Sequence, residues 1–261
     1  MSGYGCALVT GASSGIGAAF AGALPAETDL LLTGRDAAAL RSVAAAVAAP
    51  GRRIEVVPAD LATAEGRQRL IAAAEDLPVD LLINNAGLGL FGPFAEHDPD
   101  RLQAMLAVNV LAPGLLTRAL LPGMLARARA HGRRAGLVFT SSVAAFAPLP
   151  WFSAYAASKS FDDFLAAALA DELRGEPIDV LSLRPGTTRT RFFSRADARS
   201  LGAAPASSPA AVAAAALQAL GRRRSVTPGL HNRLYGLAVD LLPGAVLRPL
   251  VRRVMGRRRA P

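Results

Sequence analysis

Apolar residues fall into two alternating textures along the chain. Short runs rich in Leu, Val and Ile, at 5–10, 28–33, 53–58, 79–84, 135–141 and 178–184 with a weaker one near 224–227, are apolar almost without interruption. Strands that read this way have both faces covered, as in a parallel sheet between two layers of helices. Between them lie longer Ala-rich stretches of helical periodicity, at about 15–25, 36–48, 62–75, 99–130, 153–174 and 208–220. Gly, Pro or Asp stands at nearly every junction. This rhythm predicts an α/β fold, a doubly wound parallel sheet of about seven strands with helices on both faces. No repeat or low-complexity linker interrupts it, no run reads as long enough to span a bilayer, and 261 residues suit one large domain.

Composition narrows the class. At 52% hydrophobic and 19% charged the chain is too apolar to be disordered, and its single cysteine, Cys6, excludes a disulfide scaffold or a Cys-ligated metal site. The stretch before the first apolar run, at about Tyr4, has no room for a secretory signal, so a cytoplasmic protein is expected. The net charge of +9 is unevenly placed: residues 1–221 hold 19 basic and 19 acidic side chains, whereas 222–261 hold ten Arg against Asp240. A neutral body with a basic tail argues against nucleic acid as a partner, because a nucleic-acid binder carries its basic footprint across the folded domain. It leaves a tail that touches an anionic surface. All the basic residues but one are Arg; the one lysine is Lys159.

The first strand runs into Thr10-Gly11-Ala12-Ser13-Ser14-Gly15-Ile16-Gly17 and then an Ala-rich helix. A glycine-rich turn between strand and helix lets backbone N–H groups approach a pyrophosphate at the positive end of the helix. The second strand ends at Gly34-Arg35, where an NAD-binding protein places an acid on the ribose 2′-hydroxyl. Gly34 does not repel a 2′-phosphate and Arg35 offers it a fork of donors, so NADP(H) is preferred over NAD(H), with Asp36 left as a residue that could reach the ribose. Asp60-Leu61 and Asn84-Asn85-Ala86-Gly87 follow the third and fourth strands, at the ends where the crevice of an open α/β sheet lies.

Ser142 ends the fifth strand, and Tyr155-Ala156-Ala157-Ser158-Lys159 opens a helix. Four residues apart, Tyr155 and Lys159 share a helix face, and a neighbouring cation favours the phenolate of a tyrosine that otherwise titrates near ~10. Ser142 supplies a hydroxyl to hold a substrate oxygen. That the lone lysine falls four residues after one of only three tyrosines weighs against two unrelated surface residues.

Together these motifs resemble the short-chain dehydrogenase/reductase family, in its shorter, non-extended branch, over about residues 5–230. The set includes the glycine turn, Asp60, the 84–87 motif, Asn109, Ser142/Tyr155/Lys159, and Pro185-Gly186 followed by Thr188 and Thr190. The resemblance implies a Rossmann-type sheet, no metal, a homodimer or homotetramer, and hydride transfer between a nicotinamide and a carbonyl or alcohol on a small molecule. It assigns Ser142 and Tyr155 to the substrate oxygen, Tyr155 to proton delivery, Lys159 to the ribose and to lowering the Tyr155 pKa, and Asn109 to a water relay. Ser142 is chosen over Ser141 because it stands thirteen residues before Tyr155. Thr188 takes a position that usually carries Val or Ile.

Phe146, Trp151 and Phe192 are expected in the substrate pocket, with a substrate loop at about 191–207, which points to a bulky apolar compound; the same aromatics are also ordinary packing residues. Arg191, Arg195 and Arg199 could meet an anionic substrate end or simply be solvated. Residues 1–228 form the nucleotide-binding catalytic domain and 229–261 a basic extension. In that extension two short amphipathic stretches, parted at Pro243-Gly244 and ending in Arg257, Arg258 and Arg259, suit a membrane interface, a partner subunit or a cover for the site. The rival from another class is a non-catalytic NADP-binding sensor or scaffold that uses the tail for contact.

Overall fold

The structure, a computed structural model, describes residues 3–198 and 206–257. Seven parallel strands form one sheet in the order β3-β2-β1-β4-β5-β6-β7: β1 Cys6–Thr10, β2 Asp29–Gly34, β3 Ile54–Pro58, β4 Leu81–Asn84, β5 Ala135–Thr140, β6 Ile178–Leu183 and β7 Ser225–Val226. Each lies where its apolar run predicts. Alternation within those runs splits the core in two. Leu8, Leu31, Leu82 and Leu137 face α3 (Ala64–Glu75), α5 (Ala112–His131) and α6 (Ser153–Glu172). Val9, Leu32, Ile83 and Val138 face α1 (Gly15–Ala23), α2 (Ala37–Ala46) and α8 (Pro209–Ala219). The strand order reverses between β1 and β4, so a crevice opens beyond their C-terminal ends, the position at which such sheets bind ligands.

The expected helix at 99–130 is divided into α4 (Pro99–Leu106), a π-helical turn at Ala107–Leu111, and α5. Pro113 has no N–H to give the carbonyl four residues back, that of Asn109, and the wider turn absorbs the break. This continuous run, Pro99–His131, is long and apolar enough to cross a membrane by length and composition, which corrects the expectation that none is. Here its inner side chains Leu116, Leu120 and Met124 are buried in the core against the sheet.

Beyond β7 the two amphipathic stretches fold as α9 (Leu230–Leu241) and α10 (Gly244–Arg257), parted at Pro243, while α7 (Phe192–Arg195) is a single turn. Of the expected substrate loop, residues 199–205 lie outside the described residues, as do Arg199, Arg258 and Arg259.

Candidate active site

The turn after β1 brings backbone close to backbone. Gly11 and Gly15 hold left-handed φ angles of 66° and 61°. A Cβ on Gly17 would run into the Gly11 carbonyl oxygen and come within 2.7 Å of Asn85 Nδ2. Thr10 Oγ1 accepts from the Asn85 and Ala86 amides at 2.8 and 2.9 Å, and Asn85 Nδ2 donates to the Thr10 carbonyl at 2.8 Å. The glycine turn and the 84–87 motif are thus one clamped unit. Thr10 and Gly17 sit behind it rather than on the cavity wall, whereas Gly11, Ser13, Ser14, Gly15, Ile16, Asn85, Ala86 and Gly87 line it. Ser14, at the N-cap of α1, makes no capping bond, which leaves the first N–H groups of that helix without a side-chain acceptor. A cradle that tolerates only glycine, at a helix N-terminus, fits a pyrophosphate.

Beside it, Gly34 packs so that a Cβ would lie 3.4 Å from Ser13 Oγ, and Arg35 stands exposed on the wall. Asp36, the alternative partner for a ribose, caps α2 by accepting from the Ala39 amide at 2.9 Å and does not line the cavity. Asp60, which accepts from the Ala62 amide at 3.0 Å, and Leu61 close this end.

From there a cavity of about 670 Å³ runs to Tyr155. The end of β5 separates two adjacent serines by role. Ser141 Oγ donates to the Lys159 carbonyl at 2.7 Å, whereas Ser142 Oγ accepts from the Ala144 amide at 3.1 Å and shares a hydrogen bond with the Tyr155 hydroxyl. Tyr155 is buried, its ring stacked on Phe152 at 4.3 Å and tilted against Phe192 at 5.3 Å. Lys159, also buried, donates to the Thr140 carbonyl at 2.8 Å and to Asp162 Oδ2 at 2.9 Å. Burial pushes the Tyr155 phenol above its ordinary value, Lys159 and Ser142 pull it down, and Asp162 adds to the rise. The expected influence of Lys159 is present, but desolvation outweighs it. For Lys159 burial works against the ammonium, yet the Asp162 carboxylate and the Tyr155 hydroxyl together hold its pKa above the ordinary value.

Asp162, which the sequence motifs leave out, joins this buried cluster through its ion pair with Lys159, and its spacing three residues after Lys159 on one helix face is the signal for it. The next acid, Asp163, is tied instead to Ser182 and by two bonds to the Arg184 guanidinium.

Asn109 lies in the π-helical turn, fully buried and off the cavity wall. Its Nδ2 donates to the Leu88 carbonyl and to Ser158 Oγ, both at 2.9 Å, and its Oδ1 accepts from the Leu88 amide at 2.8 Å. With both N–H groups taken by protein, the side chain acts as a strut that holds Gly87 and Leu88 beside Lys159, not as a donor to a relay water.

The far wall is Pro185, Gly186, Thr188 and Thr190. Thr188 Oγ1 donates to the Gly186 carbonyl at 3.0 Å, and Thr190 Oγ1 accepts from the Phe192 amide at 3.2 Å. Phe192 lines the substrate half with Leu149, Phe152 and Phe193, and Arg191 and Arg195 reach the wall. Phe146 and Trp151 do not. Phe146 packs against Tyr235 and under the Arg184 guanidinium, and the Trp151 ring lies against Gly256, so both serve packing. Over this half lie His231, Asn232 and Tyr235 of α9 and Val251 and Met255 of α10. The fit is close enough that a Cβ on Gly186 would collide with the Asn232 carboxamide.

Similar proteins place this geometry. Residues 5–200 match the family model described as short chain dehydrogenase. Among curated relatives, the 1-deoxy-11-beta-hydroxypentalenate dehydrogenase of Streptomyces exfoliatus is 37% identical over 189 residues, 70% of this chain and 67% of its own. A very-long-chain 3-oxoacyl-CoA reductase-like protein of Arabidopsis thaliana is 32% identical over 244 residues, 91% of this chain and 77% of its own. Among solved structures, a short-chain dehydrogenase from Sphingobium yanoikuyae in complex with NADPH superposes with a TM-score of 0.79 at 30% identity, covering 94% of each chain. The matched stretch runs from the first strand through the wall that carries Thr188 and Thr190 and so takes in the glycine cradle with Ser142, Tyr155 and Lys159; the chain belongs to the short chain dehydrogenase family.

Proposed function

We propose that this protein is an NADP(H)-dependent oxidoreductase that interconverts a hydrophobic carbonyl compound and the corresponding secondary or primary alcohol. The observation that carries this reading is the convergence of Ser142, Tyr155 and Lys159 on a cavity whose one end is a glycine cradle and whose other end is apolar and aromatic. Held by the glycine turn, Asn85 to Gly87 and Lys159, a nicotinamide cofactor would supply the hydride chemistry at the carbonyl or alcohol carbon. Ser142 and Tyr155 donate to the substrate oxygen, and in reduction the Tyr155 O–H passes its proton to that oxygen as negative charge develops there. Donors fixed in advance on a group that becomes anionic only in the transition state are the source of rate. Lys159, held cationic by Asp162, steadies the phenolate left behind and has its third N–H for the ribose.

Selectivity for NADP(H) rests on Arg35, because Asp36 is committed to its helix cap. The substrate class rests on Leu149, Phe152, Phe192 and Phe193, and the name of the Arabidopsis relative accords with it. Leu111 at the end of the π-helical turn, Leu115 of α5 and Phe161 and Phe164 of α6 are exposed, and they support a homo-oligomer through this face. Sedimentation velocity on the wild type and on Phe164→Glu tests that; a monomeric wild type refutes it.

The activity test is NADPH consumption against a panel of hydrophobic ketones and aldehydes, beside NADH and a Tyr155→Phe control. The expected result is turnover that prefers NADPH and falls by roughly 10²–10⁴ in the variant. Retained turnover in Tyr155→Phe overturns the assignment of the proton donor. NADPH binding without turnover across the panel favours the sensor reading.

A further inference from the structure

The tail helices carry a feature that covering the site does not require. A helix that only packs on its own domain has one apolar stripe. α9 has two, on opposite faces. Inward, Tyr235 and Val239 meet the cavity, with the buried Asn232 on the same side tied to the Pro228 carbonyl. Outward, Leu230, Leu234, Leu237 and Leu241, spaced 4, 3 and 4 residues apart, are 71, 56, 56 and 80% exposed. On α10, Val251 and Met255 are buried beside Tyr155, while Val246, Leu250 and Val254 stand out from it. Leu242, Leu250 and Val254 are both exposed and part of the cavity lining, so the apolar wall of the cavity continues without a break onto this outer face.

Charge decides what covers it. Arg248, Arg252 and Arg253 are exposed on α10 and have no acidic partner among the described residues. A second copy seated here would bring like charges together, whereas anionic headgroups neutralise them. The other exposed apolar face, on α5 and α6, lies on different elements and is free for self-association.

We infer that α9 and α10 dock this protein on an anionic phospholipid bilayer, and that its substrate is a membrane-dissolved carbonyl or alcohol that enters the cavity past Leu242, Leu250 and Val254. The docking stands by itself; the substrate half rests on the oxidoreductase reading.

The test uses the full chain with vesicles of phosphatidylcholine alone and of phosphatidylcholine mixed with phosphatidylglycerol. The wild type should sediment with the mixed vesicles and stay in solution with the neutral ones. Leu234→Ser/Leu237→Ser/Leu241→Ser, none of which lines the cavity, should abolish sedimentation while leaving reduction of a water-soluble ketone intact. Arg248→Ser/Arg252→Ser/Arg253→Ser should weaken partitioning roughly a hundredfold, at about fivefold per basic residue, and make it less sensitive to salt. Reduction of a long-chain methyl ketone dissolved in the mixed vesicles should be several-fold faster in the wild type than in the leucine variant. A wild type that does not sediment, or stripe variants that sediment as well as it does, overturns the docking. So does a concentration-dependent dimer that the leucine variant abolishes without any lipid binding. Sedimentation needs no turnover, so its failure is distinguishable from failure of the oxidoreductase reading; equal vesicle-bound turnover in wild type and leucine variant overturns the substrate route alone.

Discussion

Asp162→Asn keeps the shape of a buried side chain and removes its charge, which makes two effects separable. The first is on stability. The Lys159–Asp162 pair lies at 2.9 Å with both side chains about 95% buried, and removing one partner of such a pair costs about 3–5 kcal/mol. At about 2–4 °C per kcal/mol for a chain of this size, the melting temperature should fall by roughly 10 °C. The pair holds the Lys159 pKa above the ordinary 10.5, so its stabilisation is fully present below that value and is lost as pH rises through the folded-state pKa. Burial pushes the Asp162 carboxyl up as well and outweighs the pull of Lys159, so the pair is intact only between the two folded-state values, and the melting difference between wild type and variant should shrink on both the acid and the alkaline side.

The second effect is on Tyr155, where Asp162 disfavours the phenolate. Seven residues along one helix place the two ~10 Å apart at 1.5 Å per residue. A unit charge at ~10 Å and an effective dielectric constant of about 20 contributes about 1.7 kcal/mol in favour of the neutral phenol. On the proposed mechanism Tyr155 accepts a proton in alcohol oxidation, so the rate should climb with pH through its pKa. Without Asp162 that climb should move to lower pH, with kcat/KM for oxidation roughly tenfold higher on the acid side of the midpoint. Asp163 cannot take over, since Arg184 and Ser182 hold it. The assay is kcat/KM for oxidation against pH in both proteins, with thermal unfolding alongside. An unmoved profile refutes the coupling, and a move to higher pH would show that Lys159 loses its proton when Asp162 is gone.

Two further outcomes follow from other parts of the structure. Arg35→Ala should raise KM for NADPH by roughly ten- to hundredfold, the worth of a lost charge-assisted hydrogen bond, and leave KM for NADH nearly unchanged; equal effects on both would remove Arg35 from a role in selectivity. Cys6, whose thiol is pushed up to about 12 by burial first and then by Asp80 and Asp29, should resist a thiol reagent at neutral pH until the protein unfolds; labelling of the native protein at the rate of a free thiol would contradict the placement of β1.

What the sequence determined by itself is local in origin. The strands are legible because a central parallel strand must be apolar on both faces, and the glycine turn because left-handed φ angles and a close approach to Asn85 tolerate no side chain. Ser142, Tyr155 and Lys159 are legible for the same reason: a strand end and four residues of helix carry their own geometry, and Asp162 could have been read from the next turn.

Tertiary structure decided the rest. Whether Asp36 is free for a ribose depended on the cap of α2, and whether Asn109 faces solvent depended on a turn reshaped by Pro113 and on Leu88, 21 residues away. Phe146 and Trp151 look as suitable for a pocket as Phe192 does, yet contacts with Tyr235, Arg184 and Gly256 turn them to packing. Residues 231–255 have no spacing that ties them to Tyr155. They reach it because the sheet order brings the chain after β7 back over Pro185 and Gly186, and long-range placement of that kind leaves no periodicity in the chain to read.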